Sequence, residues 1–165
     1  ASNYTYDPNH PYAVDTVTNS SGTVYSASYD ADGNMTSRNG YATQWTVDNL
    51  PESIASATGS STFSYGPDGN RYSQTATFNG ATTATAYLGG LFEVVSTSST
   101  TEYRHNIVAD GQTVAVHTIT ASGNASTSYL HYDHLGSVDA ITDDQGTVIQ
   151  TMSFDAFGVS LGVRS

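Results

Sequence analysis

The side chains with the most evident chemistry stand in two runs, His131-Tyr132-Asp133-His134 and Asp30-Ala31-Asp32-Gly33-Asn34. Imidazole nitrogens and carboxylate oxygens are the donor atoms of zinc and calcium sites. On a strand, His131 and Asp133 fall on one face and His134 on the other; three ligands on one face would define a site better than this alternation does. The second run opens like a calcium loop, but the later glutamate is missing and nothing acidic follows before Asp48. Asp30, Asp32, His131 and Asp133 are thus the metal candidates, and a hydrogen-bonded turn explains the same residues without a metal. For acyl transfer there are serines and aspartates in plenty, but no Gly-x-Ser-x-Gly elbow. Glu52, Glu93 and Glu102 are the only glutamates, and nothing singles any of them out for glycoside hydrolysis. The sequence therefore assigns no catalytic residue, no cofactor and no resident metal.

The elements that must position these residues are repeated. Tyr29-Asp30 is followed eighteen residues on by Val47-Asp48, and eighteen further by Tyr65-Gly66, in the layouts YDADGN, VDNLPES and YGPDGNR. Tyr6-Asp7, Tyr132-Asp133 and Phe154-Asp155 repeat the pair at looser intervals. In each unit the aromatic residue closes a short strand, the Asp accepts amide hydrogen bonds in a turn, and a Gly takes the positive φ the turn needs. The expected turn residues are Asp30 with Gly33, Asp48, Asp68 with Gly69, Asp110 with Gly111, Asp133 with Gly136, Asp144 with Gly146, and Asp155 with Gly158. Asn39-Gly40 and Asn79-Gly80 are hairpin signals. Between the turns, Thr62 to Gly66, Thr113 to Thr120 and Thr147 to Phe154 alternate or carry β-branched side chains, and no window has an apolar stripe at helical spacing. The expected fold is all-β, a series of hairpins that buries a core only by stacking unit on unit. Trp45 is expected to pack on the neighbouring unit, and Arg71 to stack on a tyrosine or pair with a turn aspartate.

The segments YDADGNMTSRNG, FSYGPDGNRYSQT, YLGGLFEVV and YLHYDHLGSVDAITDDQGTVIQTMSFDAFG together resemble the Rhs/YD-repeat family, over about Tyr4 to Gly158. The succession DHLGS (Asp133 to Ser137), TDDQGTV (Thr142 to Val148) and FDAFG (Phe154 to Gly158) is similar to the start of that family's repeat-associated core region. The resemblance implies a spirally wound β-strip or a section of a β-shell, as in teneurins and the large subunits of insecticidal toxin complexes. In larger members the shell encloses a toxic C-terminal domain. On this basis residues 1–165 are a single repeat array, with regular repeats over 1–75, degenerate hairpins over 76–128, the core-like segment over 129–158 and a tail over 159–165. Many members also cut themselves with aspartates of an Asp-Pro-x-Gly-Leu motif after the core. Here the chain runs out as FGVSLGVRS, and its single Asp-Pro, Asp7-Pro8, is followed by Asn9 and His10. That activity is not carried over, and the chain is expected not to be an enzyme.

Composition narrows the partners. The 165 residues carry a formal net charge of −11 with only four cations, all arginine. Nucleic acid and anionic membrane surfaces are bound by Lys and Arg neutralising phosphates, so both are excluded as partners. No apolar run approaches the roughly 20 residues that span a bilayer, so no membrane insertion is expected. Cysteine is absent, which removes disulfides and thiolate chemistry. The acidic, Ser/Thr-rich, Lys-free composition fits a secreted, extracellular or cell-surface protein. A chain that begins at Ala1 is expected to be a processed product or an excerpt of a longer precursor. The leading expectation is a structural β unit whose open edges pair with copies of itself to give an extracellular tube or filament. The alternatives are a section of a toxin-enclosing shell, completed by the rest of that shell, and an extracellular module that grips a glycan or receptor. The last would use exposed aromatics, with Tyr41, Trp45 and Tyr72 as candidates.

Overall fold

The computed structural model describes residues 1–155 and 158–164. The FDAFG segment extends onto Ala156 and Phe157, which lie outside the described residues, as does Ser165 at the end of the tail. Among the described residues the regular elements are sixteen strands, whose order in the sheet is their order in the chain. The fold is all-β and antiparallel. Two compact units divide it, Ala1–Ala84 and Thr85–Ser165.

The first unit holds β1 (Asn3–Tyr6), β2 (Val14–Asn19), β3 (Gly22–Tyr29), β4 (Met35–Arg38), β5 (Tyr41–Trp45), β6 (Pro51–Ala55), β7 (Gly59–Tyr65) and β8 (Arg71–Phe78), with β9 (Ala81–Leu88) carrying the boundary. The second holds β10 (Phe92–Ser96), β11 (Thr101–Ala109), β12 (Gln112–Thr120), β13 (Ala125–Tyr132), β14 (Val138–Thr142), β15 (Val148–Phe154) and β16 (Ser160–Arg164). Each hairpin in the first unit turns back at once, so alternate connections share one end of the strands. Residues 7–13, 30–34, 46–50 and 66–70 lie at one end, and Asn39-Gly40, residues 56–58 and Asn79-Gly80 at the other.

Two kinds of connection recur. Asn39-Gly40, Asn79-Gly80 and Asp110-Gly111 place two residues in succession at positive φ (47° and 85°, 48° and 81°, 51° and 77°). That is the two-residue turn whose twist matches the flanking strands. Asp110-Gly111 is therefore a tight turn of the Asn-Gly kind, different from the longer Asp30 turn with which its sequence groups it. The other kind is a five-residue loop, described below.

Side chains in the first unit sort sharply between the faces of the sheet. One cross-strand row runs Ser28, Ser37, Ala42, Ala55, Ser60, Thr77, and the next on the same face runs Gln44, Ser53, Thr62, Thr75. This face is hydroxyl, methyl and amide only. The opposite face carries Ala27 with Arg38 and Tyr41, and the row Thr43, Ile54, Ser61, Ala76, with Phe63 and Phe78 in step by the two-residue alternation. The second unit is less segregated. Phe92, His105, His117 and Thr127 form one row, and Val94, Tyr103, Ile119 and Ala125 another, on a face of mixed aromatic and imidazole character. Leu130, Ile141 and Gln150 line up on its other face.

Almost nothing is buried. Ala27 and Ala115 are the only buried hydrophobic residues among those described. The accessible surface is 11052 Å², whereas a compact monomer of this mass exposes about 7,800 Å². Domains ordinarily bury an apolar sheet face against a second layer, and within each unit the strands form no such layer.

Candidate functional site

The repeated five-residue loop is the most elaborated local structure. Among the described residues, seven loops share one backbone circuit, beginning at Asp30, Thr46, Gly66, Thr120, Asp133, Asp143 and Asp155. The first amide donates to the fifth carbonyl, and the fourth amide donates to the first carbonyl. For Asp30 these bonds are Asp30 N to Asn34 O at 3.0 Å and Gly33 N to Asp30 O at 3.1 Å, and for Asp133 they are 2.9 and 3.1 Å. The fourth residue must take positive φ to close the circuit; it is Gly in six loops and Asn49, at 59°, in the seventh.

In six of these loops the first side chain completes the circuit by accepting amides from inside it. Asp30 Oδ1 accepts from the amides of Asp32 at 3.0 Å and Asn34 at 2.9 Å, while its Oδ2 accepts from Asn34 Nδ2 at 3.1 Å. Asp133 Oδ1 accepts from the amides of Leu135 and Ser137. Desolvation pushes the Asp30 carboxyl up, but the Asn34 side chain and the Asn34, Asp32 and Gly33 amides outweigh it and hold the group below its ordinary 3.8. The Ser137 amide is the chief cause of the same lowering at Asp133, against desolvation and with help from the Leu135 amide and nearby His134.

Three expected turn residues are placed differently. In the loop at 46–50 the acceptor is Thr46 Oγ1, which takes the amides of Asp48 and Leu50, and Asp48 is the middle residue that donates to it. Val47 is 99% exposed at the loop tip, and the aromatic residue that closes the strand is Trp45. The acceptor before Gly146 is Asp143, which takes the amides of Gln145 and Thr147; Asp144 follows it in the loop. Asp68 lies within the loop headed by Gly66. A Cβ at Gly66 would stand 2.8 Å from Asp68 Oδ1, and Asp68 accepts from the Asn70 amide at 3.0 Å and from Asn70 Nδ2 at 2.7 Å. The Asp68 carboxylate thus folds back into the space that a side chain at 66 would fill. The Asn70 side chain is the main cause that holds its carboxyl below 3.8.

Before four of the loops, an aromatic residue is tied to the start of the preceding strand. Tyr29 donates its hydroxyl to the Val14 carbonyl, Trp45 its indole N–H to Met35, Tyr65 its hydroxyl to Pro51 and Tyr132 its hydroxyl to Thr113. Asn34 Nδ2 also donates to Asn49 Oδ1 at 2.7 Å, joining two neighbouring loops. Asp7 accepts the amides of Asn9 and His10 and faces His10 Nδ1 at 3.0 Å. The His10 ring leans on Tyr29, with centroids 6.3 Å apart.

The metal candidates are not brought together. His131 turns its Nε2 to Thr142 Oγ1 at 3.0 Å, while the Asp133 carboxylate turns into its own loop. Asp30 is occupied by loop amides, and Asp32 is an exposed loop residue that donates to it. Among the described residues, no three His, Asp or Glu side chains gather in a way that could hold a metal ion. Arg71 lies over the Phe63 ring, 5.4 Å from its centroid. Of the candidate glycan-binding aromatics, Tyr41 opens β5 at the tight-turn end, Tyr72 is the second residue of β8 at the loop end, and the Trp45 indole N–H is committed to Met35. The three do not make one patch.

Solved structures show where this architecture occurs. The chain superposes on the crystal structure of TcdB2-TccC3-Cdc42 with a TM-score of 0.74 and 14% identity, covering 99% of this chain and 10% of that one. It matches the Tc holotoxin pore of Photorhabdus luminescens, carrying the TccC3 D651A mutation, at 0.69 and 14% identity, covering 96% and 10%. TcdB2-TccC3 without its hypervariable C-terminal region matches at 0.67 and 12%, covering 99% and 10%. The likeness is one of fold, and the chain spans about a tenth of the length of these neighbours. No protein-family profile matches the chain, and no curated protein matches it.

Proposed function

We propose that the chain is a wall section of a longer, Rhs-like β-shell, in which further strands pair with its edges and cover its apolar surface. One observation carries this reading: only two buried hydrophobic residues among those described and an exposed area about 3,000 Å² above that of a compact monomer. An apolar sheet face left in water is an interaction surface or a liability. The fold shared with tenth-length stretches of Tc toxin chains supports a section of something larger. By the family resemblance, the whole would enclose a toxic domain and act outside the cell that makes it.

Edge-to-edge self-association into tubes or filaments is the second reading. It is favoured by β1 and β16, which stand first and last in the strand order and expose every residue along their length. β1 carries no charge, and β16 only Arg164. Sedimentation velocity and negative-stain microscopy of the purified chain, beside a dye that fluoresces on apolar surface, test both. A wall section removed from its wall binds the dye and associates without a fixed repeat, whereas a filament protein forms tubes or fibres of constant axial repeat. A dye-silent, discrete monomer at micromolar concentration refutes both.

A further inference from the structure

We propose that His105 on β11 and His117 on β12 form a two-imidazole site for a copper(II)-class ion. The two residues stand directly opposite each other in the pairing of these strands. Opposite residues of an antiparallel pair have Cβ atoms about 4.5–5.5 Å apart, close enough for two rings to reach one ion about 2 Å from each nitrogen. The row is framed on both sides. Phe92 flanks His105 on the side away from His117, with ring centroids 6.4 Å apart and planes at 63°. Thr127 flanks His117, and its Oγ1 lies 2.9 Å from His117 Nδ1. When that hydroxyl accepts the Nδ1 proton, Nε2 is left as the lone-pair donor, the arrangement in which ligating histidines are ordinarily held. Among the described residues, neither ring nitrogen of His105 has a hydrogen-bond partner, and nor has His117 Nε2.

The donor set selects the class of ion. Imidazole suits copper, nickel and zinc, whereas calcium and magnesium take oxygen ligands. With two protein donors the site depends on intrinsic affinity, which peaks at Cu²⁺ in the first-row series. An anion is disfavoured by the net charge of −11. Arg104, next to His105 in the chain, falls on the opposite face by strand alternation and is paired with Glu102 at 2.7 Å, so it sets no free positive charge against the ion. The pair lies on the mixed face of the second unit, among Phe92, Val94, Tyr103 and Ile119. Under a covering layer and without an ion, two imidazoles would lose water with no partner in exchange. A bound ion keeps its remaining positions on the outer side of the sheet, for water or for one ligand from whatever lies over this face. The site therefore does not depend on the wall-section reading. His131 shares the face by alternation along β13, but it stands about 14 Å along the strand from Thr127, with its Nε2 turned to Thr142.

Copper(II) titration of the full chain at neutral pH, read by electron paramagnetic resonance, tests the site. One equivalent is expected to bind with the splitting of two nitrogen donors, and more tightly than nickel(II) or zinc(II). Removing either ring, in His105→Ala or His117→Ala, should weaken that equivalent about a hundredfold, the order by which a second linked contact exceeds one. Thr127→Val keeps both rings and removes the hydroxyl, and should weaken it about tenfold. His131→Ala should bind as the parent does. Circular dichroism checks that each variant keeps its sheet. The proposal is overturned if no equivalent with the two-nitrogen splitting forms, if that splitting survives in the His105→Ala/His117→Ala double variant, or if it is lost in His131→Ala.

Discussion

Replacing Tyr65 by Phe removes one oxygen and leaves the ring, so it isolates the bond from the Tyr65 hydroxyl to the Pro51 carbonyl, 2.9 Å long. A net intramolecular hydrogen bond contributes about 0.5–1.5 kcal/mol. Taking about 1 kcal/mol, a chain of this size should melt roughly 2–4 °C lower. Tyr29→Phe removes the corresponding bond to Val14, also 2.9 Å, and should cost about as much. The two bonds share no residue, so the double variant should lose about 2 kcal/mol. Tyr12, 97% exposed, supplies the control, and Tyr12→Phe should fall within about 0.5 kcal/mol of the parent. The assay is urea unfolding followed by the fluorescence of Trp45, the single tryptophan, which lies in the same unit as both tyrosines. If Tyr65→Phe cannot be told from Tyr12→Phe, the aromatic hydroxyls do not fasten the strands and the clamp is incidental.

Gly136 sits at a φ of 84°, and Gly136→Ala should cost about 1–2 kcal/mol in thermal melts, the ordinary penalty for a Cβ in the left-handed region. Gly66→Asp should destabilise the chain, because the new Cβ meets Asp68 Oδ1 at 2.8 Å. Adding Asp68→Ala should restore it by moving the acceptor to the head of the loop, and strictly additive losses in a double-mutant cycle would sink that account. Asp30 and Asp133 titrate below 3.8 in the folded chain. Their contribution is therefore fully present above the unfolded value and is lost as pH falls through the lower folded values. Melting temperature should drop as pH falls below about 4, and less steeply in Asp30→Asn; an equal acid slope in parent and variant would argue against the role of that carboxylate.

Asp30 and Asp133 stand out in the sequence because an acceptor with a Gly three places on is a recognisable pattern. At Thr46 and Gly66 the repeat is visible but its acceptor is not, and the loop at Thr120 does not stand out at all. A threonine hydroxyl accepts the same amides as a carboxylate, and at Gly66 the acceptor has moved two places along to Asp68. The circuit is closed by backbone groups, which no side-chain pattern reports. With Asp143 and Asp144 adjacent, only the distance to Gly146 decides between them, and the aromatic–Asp pairing points to neither. The segregation of the first unit into a hydroxyl face and an apolar face is latent in its alternation, but it depends on registers that the bulges before Tyr29, Trp45 and Tyr65 shift.

The strand order has a consequence for how such a chain can change length. Within each unit a strand pairs only with those immediately before and after it, so no distant segment has to be matched when residues are gained or lost. Adding one strand reverses the direction of everything that follows and exchanges loop end for tight-turn end. Adding two restores both. Insertions and deletions are therefore tolerated in whole hairpins, and length in this architecture is counted in even steps.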